Sequence, residues 1–275
     1  MGLRFHKYEG AGNDFLIVDK DALDGVPLTA SEAIALCDRH RGVGADGVLT
    51  VDLRSPSMAV INSDGSVPEM CGNGVRCVAL HLARDTGATH LELDIDTEAG
   101  PQACAVDSDG VTAAVRVNMS AASLAPGAIG LDSASPWIDH AVTLGERTLN
   151  ITAVSMGNPH AVTFDEVGED RFKLAELLQA SPHFPNGVNV GFVSEQSGNS
   201  FRLDVCERGA GWTQACGTGA AAAATAAVET NRVPAGEPLD FRLPGGTLTM
   251  TPRVTGAPIE MVGPARFVFT GEVDR

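Results

Sequence analysis

Two segments of this chain carry a cysteine into a glycine-bracketed helix start. One reads Asn62-Ser63-Asp64-Gly65-Ser66-Val67-Pro68-Glu69-Met70-Cys71-Gly72-Asn73-Gly74-Val75-Arg76-Cys77. The other reads Glu207-Arg208-Gly209-Ala210-Gly211-Trp212-Thr213-Gln214-Ala215-Cys216-Gly217-Thr218-Gly219. In each, Cys-Gly-x-Gly leads directly into a stretch rich in Ala or Val. The pattern predicts a thiol at a helix N-terminus, where the helix dipole and first-turn N–H groups favour a thiolate. The glycines let a ligand approach the backbone and leave N–H groups to cradle a carboxylate. Two such loops facing one pocket would aim two helix ends at one anion, with a thiol on each side. That device suits removal of the α-proton of an amino acid, whose carbanion charge spreads onto the held carboxylate. One cysteine as thiolate takes the proton, the other as thiol returns one to the opposite face, and the configuration inverts.

The elements that position these loops are many short strands and few helices. Residues 15–19, 58–62, 91–96, 111–118, 201–206, 239–243, 248–252 and 265–272 read as strands. Residues 29–39 read as a helix, with Thr29 as N-cap and Glu32 completing a capping box. Residues 171–180 read as a surface helix, and 74–86 and 219–230 as buried ones. The Ala/Ser/Gly/Pro-rich segment 120–135 reads as a linker. An offset of 145 residues relates Gly12-Asn13 to Gly157-Asn158, Gly42-Val43 to Gly187-Val188, and Cys71-Gly72 to Cys216-Gly217. The same offset sets Asn62 against Glu207. The reading is two homologous α/β halves related by a pseudo-two-fold axis, sharing geometry and differing in what they recognise.

Composition narrows the classes. The chain has 275 residues, 44% of them hydrophobic, enough for one large core or two smaller ones, and this excludes a disordered chain. A net charge of −16 argues against nucleic acid or an anionic membrane as partner. It does not exclude a small carboxylate, which one Arg or a helix end can hold. No run of about 18 apolar residues occurs, and the N-terminal charges do not fit a signal peptide, so a cytoplasmic protein is expected. The six cysteines show neither Cys-x-x-Cys nor zinc spacing, so no metal is expected, and Cys37, Cys77, Cys104 and Cys206 read as core residues. Lys7, Lys20 and Lys173 are the only lysines and show no Schiff-base signature, which argues against pyridoxal phosphate; no cofactor is expected. Apart from His160, the histidines form no pattern.

Six ordered motifs resemble the diaminopimelate epimerase family, a cofactor-independent family of lysine and peptidoglycan biosynthesis. They are Gly10-Ala11-Gly12-Asn13-Asp14-Phe15, Arg39-His40-Arg41-Gly42-Val43-Gly44-Ala45-Asp46-Gly47, the Cys71 segment, Met156-Gly157-Asn158-Pro159-His160, Gly187-Val188-Asn189-Val190-Gly191-Phe192, and the Cys216 segment. The resemblance runs from Phe5 to the C-terminal strand. It implies an α/β (α+β) fold of two pseudo-symmetric halves, each a curled, mainly antiparallel sheet around a central helix, with the active site between them. It places the N-terminal half at 1–118 with a returning strand at 263–275, and the C-terminal half at 119–262. It implies Cys71 as proton donor and Cys216 as acceptor. Gly72-Asn73 and Gly217-Thr218 would hold the reacting carboxylate. Asn13, Asn62, Asn158 and Asn189 would line the pocket, and His160 would influence the cysteines. Glu207 would take the distal ammonium of the substrate and Arg208 its distal carboxylate, as a bidentate fork can. Homodimers are frequent in the family. Gly47 stands where some members have Gln, and Trp212 where Glu is frequent; a Trp there packs a loop or narrows an entrance.

Three functions are weighed. The first is two-base epimerisation of LL-diaminopimelate to the meso form. The second is racemisation of another amino acid on the same scaffold. The third, of a different class, is a thiol–disulfide protein switching through Cys71 and Cys216.

Overall fold

The computed structural model describes residues 2–68 and 71–274, so Glu69 and Met70 of the first cysteine segment lie outside the described residues. The chain is a mixed α/β protein, mostly sheet, and it divides into two compact units.

The first unit comprises Met1–Val117 and Val262–Arg275. Its elements begin with β1 (Gly2–Gly10), β2 (Asn13–Asp19), α1 (Ala30–Cys37), β3 (Gly47–Asp52) and β4 (Ser57–Asn62). They continue with α2 (Gly72–Thr86), β5 (His90–Ile95), β6 (Gln102–Ser108) and β7 (Thr112–Ala121). The order β4-β3-β2-β1 is antiparallel except for the parallel β2/β3 pair. The capping box of α1 forms as its sequence predicts. The Glu32 amide donates to Thr29 Oγ1 at 3.3 Å, and the Thr29 amide donates to Glu32 Oε2 at 2.8 Å. Helix α2 packs against β1 to β6, and its residues from Asn73 to Ala83 are all buried. It ends at Gly87, whose φ of +70° is the left-handed C-cap that glycine adopts without strain.

The second unit is Asn118–Met261. It contains α3 (Pro126–Ile129), β8 (His140–Leu144), β9 (Arg147–Ser155), β10 (Pro159–Thr163), α4 (Arg171–Gln179), β11 (Asn189–Ser197) and β12 (Ser200–Glu207). After these come β13 (Gly211–Trp212), α5 (Gly217–Glu229), β14 (Leu239–Leu243) and β15 (Gly246–Thr251). The last strand, β16 (Pro258–Asp274), enters the first unit at Val262 and pairs antiparallel with β1 from Arg266 to Asp274. Again the pairing is mainly antiparallel, with β10/β11 and β12/β14 parallel. Helix α5 packs against β9, β10, β11 and β15. Its alanines Ala220 to Ala224 are fully buried, because a helix without bulky side chains lets strands approach closely.

The segment 120–135 differs from the linker reading. It carries α3, a bridge from Ser123 to Ser155, and Ile129 and Leu131, which are buried in the core with Trp137 and Phe184. Two large apolar side chains in a small-residue stretch outweigh its loop composition. Elements recur 145 residues apart: β1 and β9 begin at that offset, as do α2 and α5.

Candidate active site

Cys71 is the N-cap of α2, with φ −137° and ψ 102°, and its Sγ accepts from the Gly74 amide at 3.3 Å. A Cβ on Gly74 would sit 3.3 Å from that sulfur, so the glycine makes room for the cap. Asn73 is buried, and its Nδ2 donates to Asn13 Oδ1 at 3.0 Å. Asn13 is carried by a two-residue hairpin turn at Ala11 and Gly12, both at positive φ (56° and 79°), as a turn matched to strand twist requires. Its Nδ2 in turn donates to Asp46 Oδ2 at 2.5 Å.

Beneath this chain lies a charged lattice. Arg39 bonds both Asp14 (2.6 Å) and Asp46 (2.8 Å), and Lys7 donates to Asp14 and to the Gly44 carbonyl. Burial alone would raise the Asp14 carboxyl, but hydrogen bonds from Arg39 and Lys7 outweigh it and hold the group below its ordinary value. Asn62 ends β4, opposite Gly47, and its Nδ2 donates to Ser66 Oγ at 2.9 Å. A Cβ at position 47 would come within 3.0 Å of the Ile61 carbonyl, so a longer side chain there requires that strand to shift.

Sequence reasoning missed Arg76. Its side chain is fully buried, donating from Nη2 to Asn73 Oδ1 (2.9 Å), from Nη1 to the Gly72 carbonyl (3.4 Å), and from Nε to the Pro264 carbonyl (3.1 Å). Burial pulls its pKa down, and negative charge on Cys77 and Cys71 acts in the opposite direction. Its signal was present: an arginine between Val75 and Cys77, in the otherwise apolar run that follows the first cysteine loop.

The second unit builds its own cysteine cap. Cys216 is the N-cap of α5 at φ −131° and ψ 105°, and its Sγ accepts from the Gly219 amide at 3.3 Å. Thr218 Oγ1 lies 3.5 Å from that sulfur and accepts from Asn158 Nδ2 at 3.3 Å. Asn158 Oδ1 accepts from His160 Nε2 at 2.9 Å. This chain links His160 to the thiol through two side chains. Burial holds the His160 pKa down at about 3, so the ring is neutral and acts through its position.

Cys216 departs from the thiolate expectation. Burial, reinforced by the Glu207 carboxylate, pushes its thiol up to about 12 against the hydrogen bonds from Thr218 and Gly219. The substrate-free chain therefore holds Cys216 protonated. Glu207 Oε1 accepts from Thr213 Oγ1 at 2.7 Å. Asn189, next to His160 in the β10/β11 register, accepts the Arg208 amide on Oδ1 at 2.8 Å. The Arg208 side chain is exposed, with Nη1 donating to the Asn186 carbonyl at 2.6 Å. Gly187 (φ +72°) makes this approach available, since a Cβ there would meet Arg208 Cδ at 2.8 Å.

Asn13 and Asn73 are thus joined at the helix start that Cys71 caps, with Asn62 two strands from Asn13, on β4. Cys216, Thr218, Asn158 and His160 form a connected cluster, flanked by Glu207, Asn189 and Arg208. Trp212 packs edge-on to Phe172 (5.0 Å between centroids) and stacks on Phe192 (6.0 Å), so it serves loop packing. No disulfide occurs among the described residues, and Cys37, Cys77, Cys104 and Cys206 are buried thiols.

The family model for diaminopimelate epimerase matches residues 5–125 and 152–268. A diaminopimelate epimerase of Rippkaea orientalis is 38% identical, covering 98% of this chain and 99% of that relative. One from Synechococcus sp. (strain JA-3-3Ab) is 42% identical, covering 98% and 97%. Among solved structures, a hydroxyproline epimerase from Agrobacterium vitis superposes with a TM-score of 0.68 at 16% identity, covering 99% of this chain and 92% of that one. A Bacillus anthracis phenazine biosynthesis protein of the PhzF family superposes with a TM-score of 0.71 at 17% identity over the whole of both chains. At these identities the superpositions speak for the fold alone.

Proposed function

The chain belongs to the diaminopimelate epimerase family, and from that premise we propose that it interconverts LL- and meso-diaminopimelate by two-base proton transfer between Cys71 and Cys216. The observation that carries the reading is chemical: two cysteines cap two helices with the same backbone geometry, and each is followed by Gly-x-Gly. In one direction Cys71 is the proton donor and Cys216 the acceptor, as the resemblance implies; in the other direction Cys216 donates and Cys71 accepts. In the latter direction a Cys71 thiolate forms an S–H bond as the α C–H bond breaks. The electron pair left on carbon delocalises into the carboxylate, and carbon then takes the Cys216 proton on its opposite face. The reverse reaction exchanges the two roles, so the family's donor and acceptor labels describe one direction each.

First-turn amides at Gly72, Asn73, Gly217 and Thr218 hold the reacting carboxylate, where developing charge meets fixed dipoles. Glu207 accepts the distal ammonium and Arg208 forks onto the distal carboxylate. Asn13, Asn62, Asn158 and Asn189 orient the substrate between these partners. His160, neutral and hydrogen-bonded, positions Asn158 and through it Thr218. No helix among the described residues is long and apolar enough to cross a membrane. A small, charged amino-acid metabolite as substrate suits work in the cytoplasm.

Solvent deuterium incorporation at the α-carbon of LL-diaminopimelate tests the reading. Wild type should exchange and invert, whereas Cys71→Ala and Cys216→Ala should each lose inversion. If wild type leaves this substrate unlabelled and labels another amino acid, the scaffold serves a different racemase.

A further inference from the structure

A second cluster of chemistry-bearing side chains lies within the first unit, apart from the cysteine cap. His6 on β1, Asp19 at the end of β2 and His81 on α2 present ligand atoms that all lie within 4.8 Å of one another. His81 Nε2 is 2.7 Å from Asp19 Oδ1, and His6 Nε2 is 3.7 Å from Asp19 Oδ2. The two imidazoles lie against each other, 4.9 Å between centroids, and converge on the same carboxylate. Their side chains are 15%, 25% and 7% exposed in the order His6, Asp19, His81, so the cluster is sheltered yet reachable by water.

The fold explains the convergence. His6 faces Ile17 across the β1/β2 pair, and Asp19, two residues beyond Ile17, shares that face. Each histidine is also fixed by its other nitrogen. His81 Nδ1 is 3.0 Å from the phenol of buried Tyr8, and His6 Nδ1 is 2.8 Å from the Thr270 hydroxyl on β16. A hydroxyl can donate to an imidazole nitrogen or accept from its N–H. These two partners therefore allow either tautomer, including the one in which both Nε2 lone pairs point at Asp19. Outer partners that orient ligating histidines in this way are the second layer of a metal site. The nearby cation, Arg84, interacts with the Tyr8 phenol as well as donating to the Gly110 carbonyl and lying over the Phe267 ring.

We propose that His6, Asp19 and His81 form a binding site for a divalent transition ion of the zinc class, with water completing the coordination. Two imidazoles and one carboxylate suit a borderline ion such as zinc or cobalt better than calcium or magnesium, which prefer oxygen. A tetrahedral ion with ligand distances near 2.1 Å sets its donors about 3.4 Å apart. With one donor atom from each residue the three lie within 4.8 Å of one another, so side-chain shifts of up to about 1.4 Å bring them to that spacing. Binding places the lone pairs of the two Nε2 atoms and one carboxylate oxygen on the ion, while each Nδ1–H turns to its hydroxyl; no oxidation change is involved. The ion would tie β1, β2 and α2 together within the unit. The absence of zinc spacing in the sequence is no obstacle, since the three residues come from three separate elements.

The test uses the full chain, reduced and stripped with chelator, then titrated with Co²⁺ and with Zn²⁺. Expected is one equivalent of cobalt with visible ligand-field absorption and no thiolate charge-transfer band, together with a melting temperature raised by zinc. His6→Gln should weaken binding by about 100-fold or more, and Thr270→Val by about 10-fold. Cys71→Ala and Cys216→Ala should bind as wild type does. His81→Gln should match His6→Gln; if that buried position fails to fold, the more accessible His6 variant decides. Thiolate bands, a spectrum unchanged by His6→Gln, or no cobalt uptake at millimolar concentration would each overturn the site and leave a hydrogen-bonded His–Asp–His cluster. None of these outcomes bears on the epimerase reading.

Discussion

Cys71 and Cys216 cap their helices almost identically, with φ/ψ of −137°/102° and −131°/105° and each sulfur 3.3 Å from the third following amide. Their surroundings are opposite. Under the first cap lies a buried guanidinium, Arg76; at the 145-residue offset the second helix has Ala221. Beside the second cap stands the carboxylate of Glu207, where the first half has Asn62. Cys71 is half-buried and Cys216 is 5% exposed. The difference teaches that a helix N-terminus sets a thiol's geometry without setting its protonation. The helix end contributes about 1 kcal/mol. Moving a thiol from 9.0 to about 12 corresponds to on the order of 4 kcal/mol, so burial prevails at Cys216. A duplicated scaffold can thus set two like thiols in opposite electrostatic surroundings.

That contrast can be broken at its centre first. If both thiols act, Cys71→Ala and Cys216→Ala should each lower turnover by roughly 10³-fold, and the double variant should cost little more than either single one. Turnover surviving in one single variant would reduce the pair to a single-base site.

The next largest effect is at Arg76. Arg76→Met leaves Asn73 Oδ1 and the Gly72 and Pro264 carbonyls without this donor and is predicted to destabilise the chain by about 2–4 kcal/mol. Urea unfolding measures it; an unchanged midpoint would remove Arg76 from the comparison.

Alkylation sharpens the inequality directly. Iodoacetamide near pH 8, read by peptide mass spectrometry, should modify Cys71 at least about 10-fold faster than Cys216, since the thiolate is the nucleophile and Cys216 is both covered and protonated. Equal rates would mean that the two caps are electrostatically alike after all.

A further contrast concerns His160, which the same offset sets against Phe15, a side chain that cannot titrate. The folded pKa of about 3 lies below the unfolded value of 6.5. The neutral ring's contribution is complete above pH 6.5 and falls as pH drops from 6.5 toward 3, by up to about 1.4 kcal/mol per unit. His160→Gln should flatten the loss of stability between pH 6 and pH 4 in urea titrations. A slope unchanged in the variant would place the acid sensitivity elsewhere.

Much of this molecule is readable from local chemistry. Cys-Gly-x-Gly before an apolar run marks both helix starts, Thr29 with Glu32 marks a third, and the 145-residue offset announces paired elements. Other strands are hidden for physical reasons. In β10 all five residues are buried, so no alternation betrays it. In β1 the register shifts between Lys7 and Tyr8, which interrupts the period of two. Helix α3 hides in a stretch of small residues, and only the burial of Ile129 and Leu131 reveals that it belongs to a core.

Sequence alone determined the two thiol-capped helices, because capping depends on residues within one turn, and those are neighbours in the chain. Tertiary structure alone decided the protonation of Cys216, the burial of Arg76 and the meeting of His6, Asp19 and His81. Solvent exclusion and charge act through space, and they depend on which distant strands and helices the fold brings alongside.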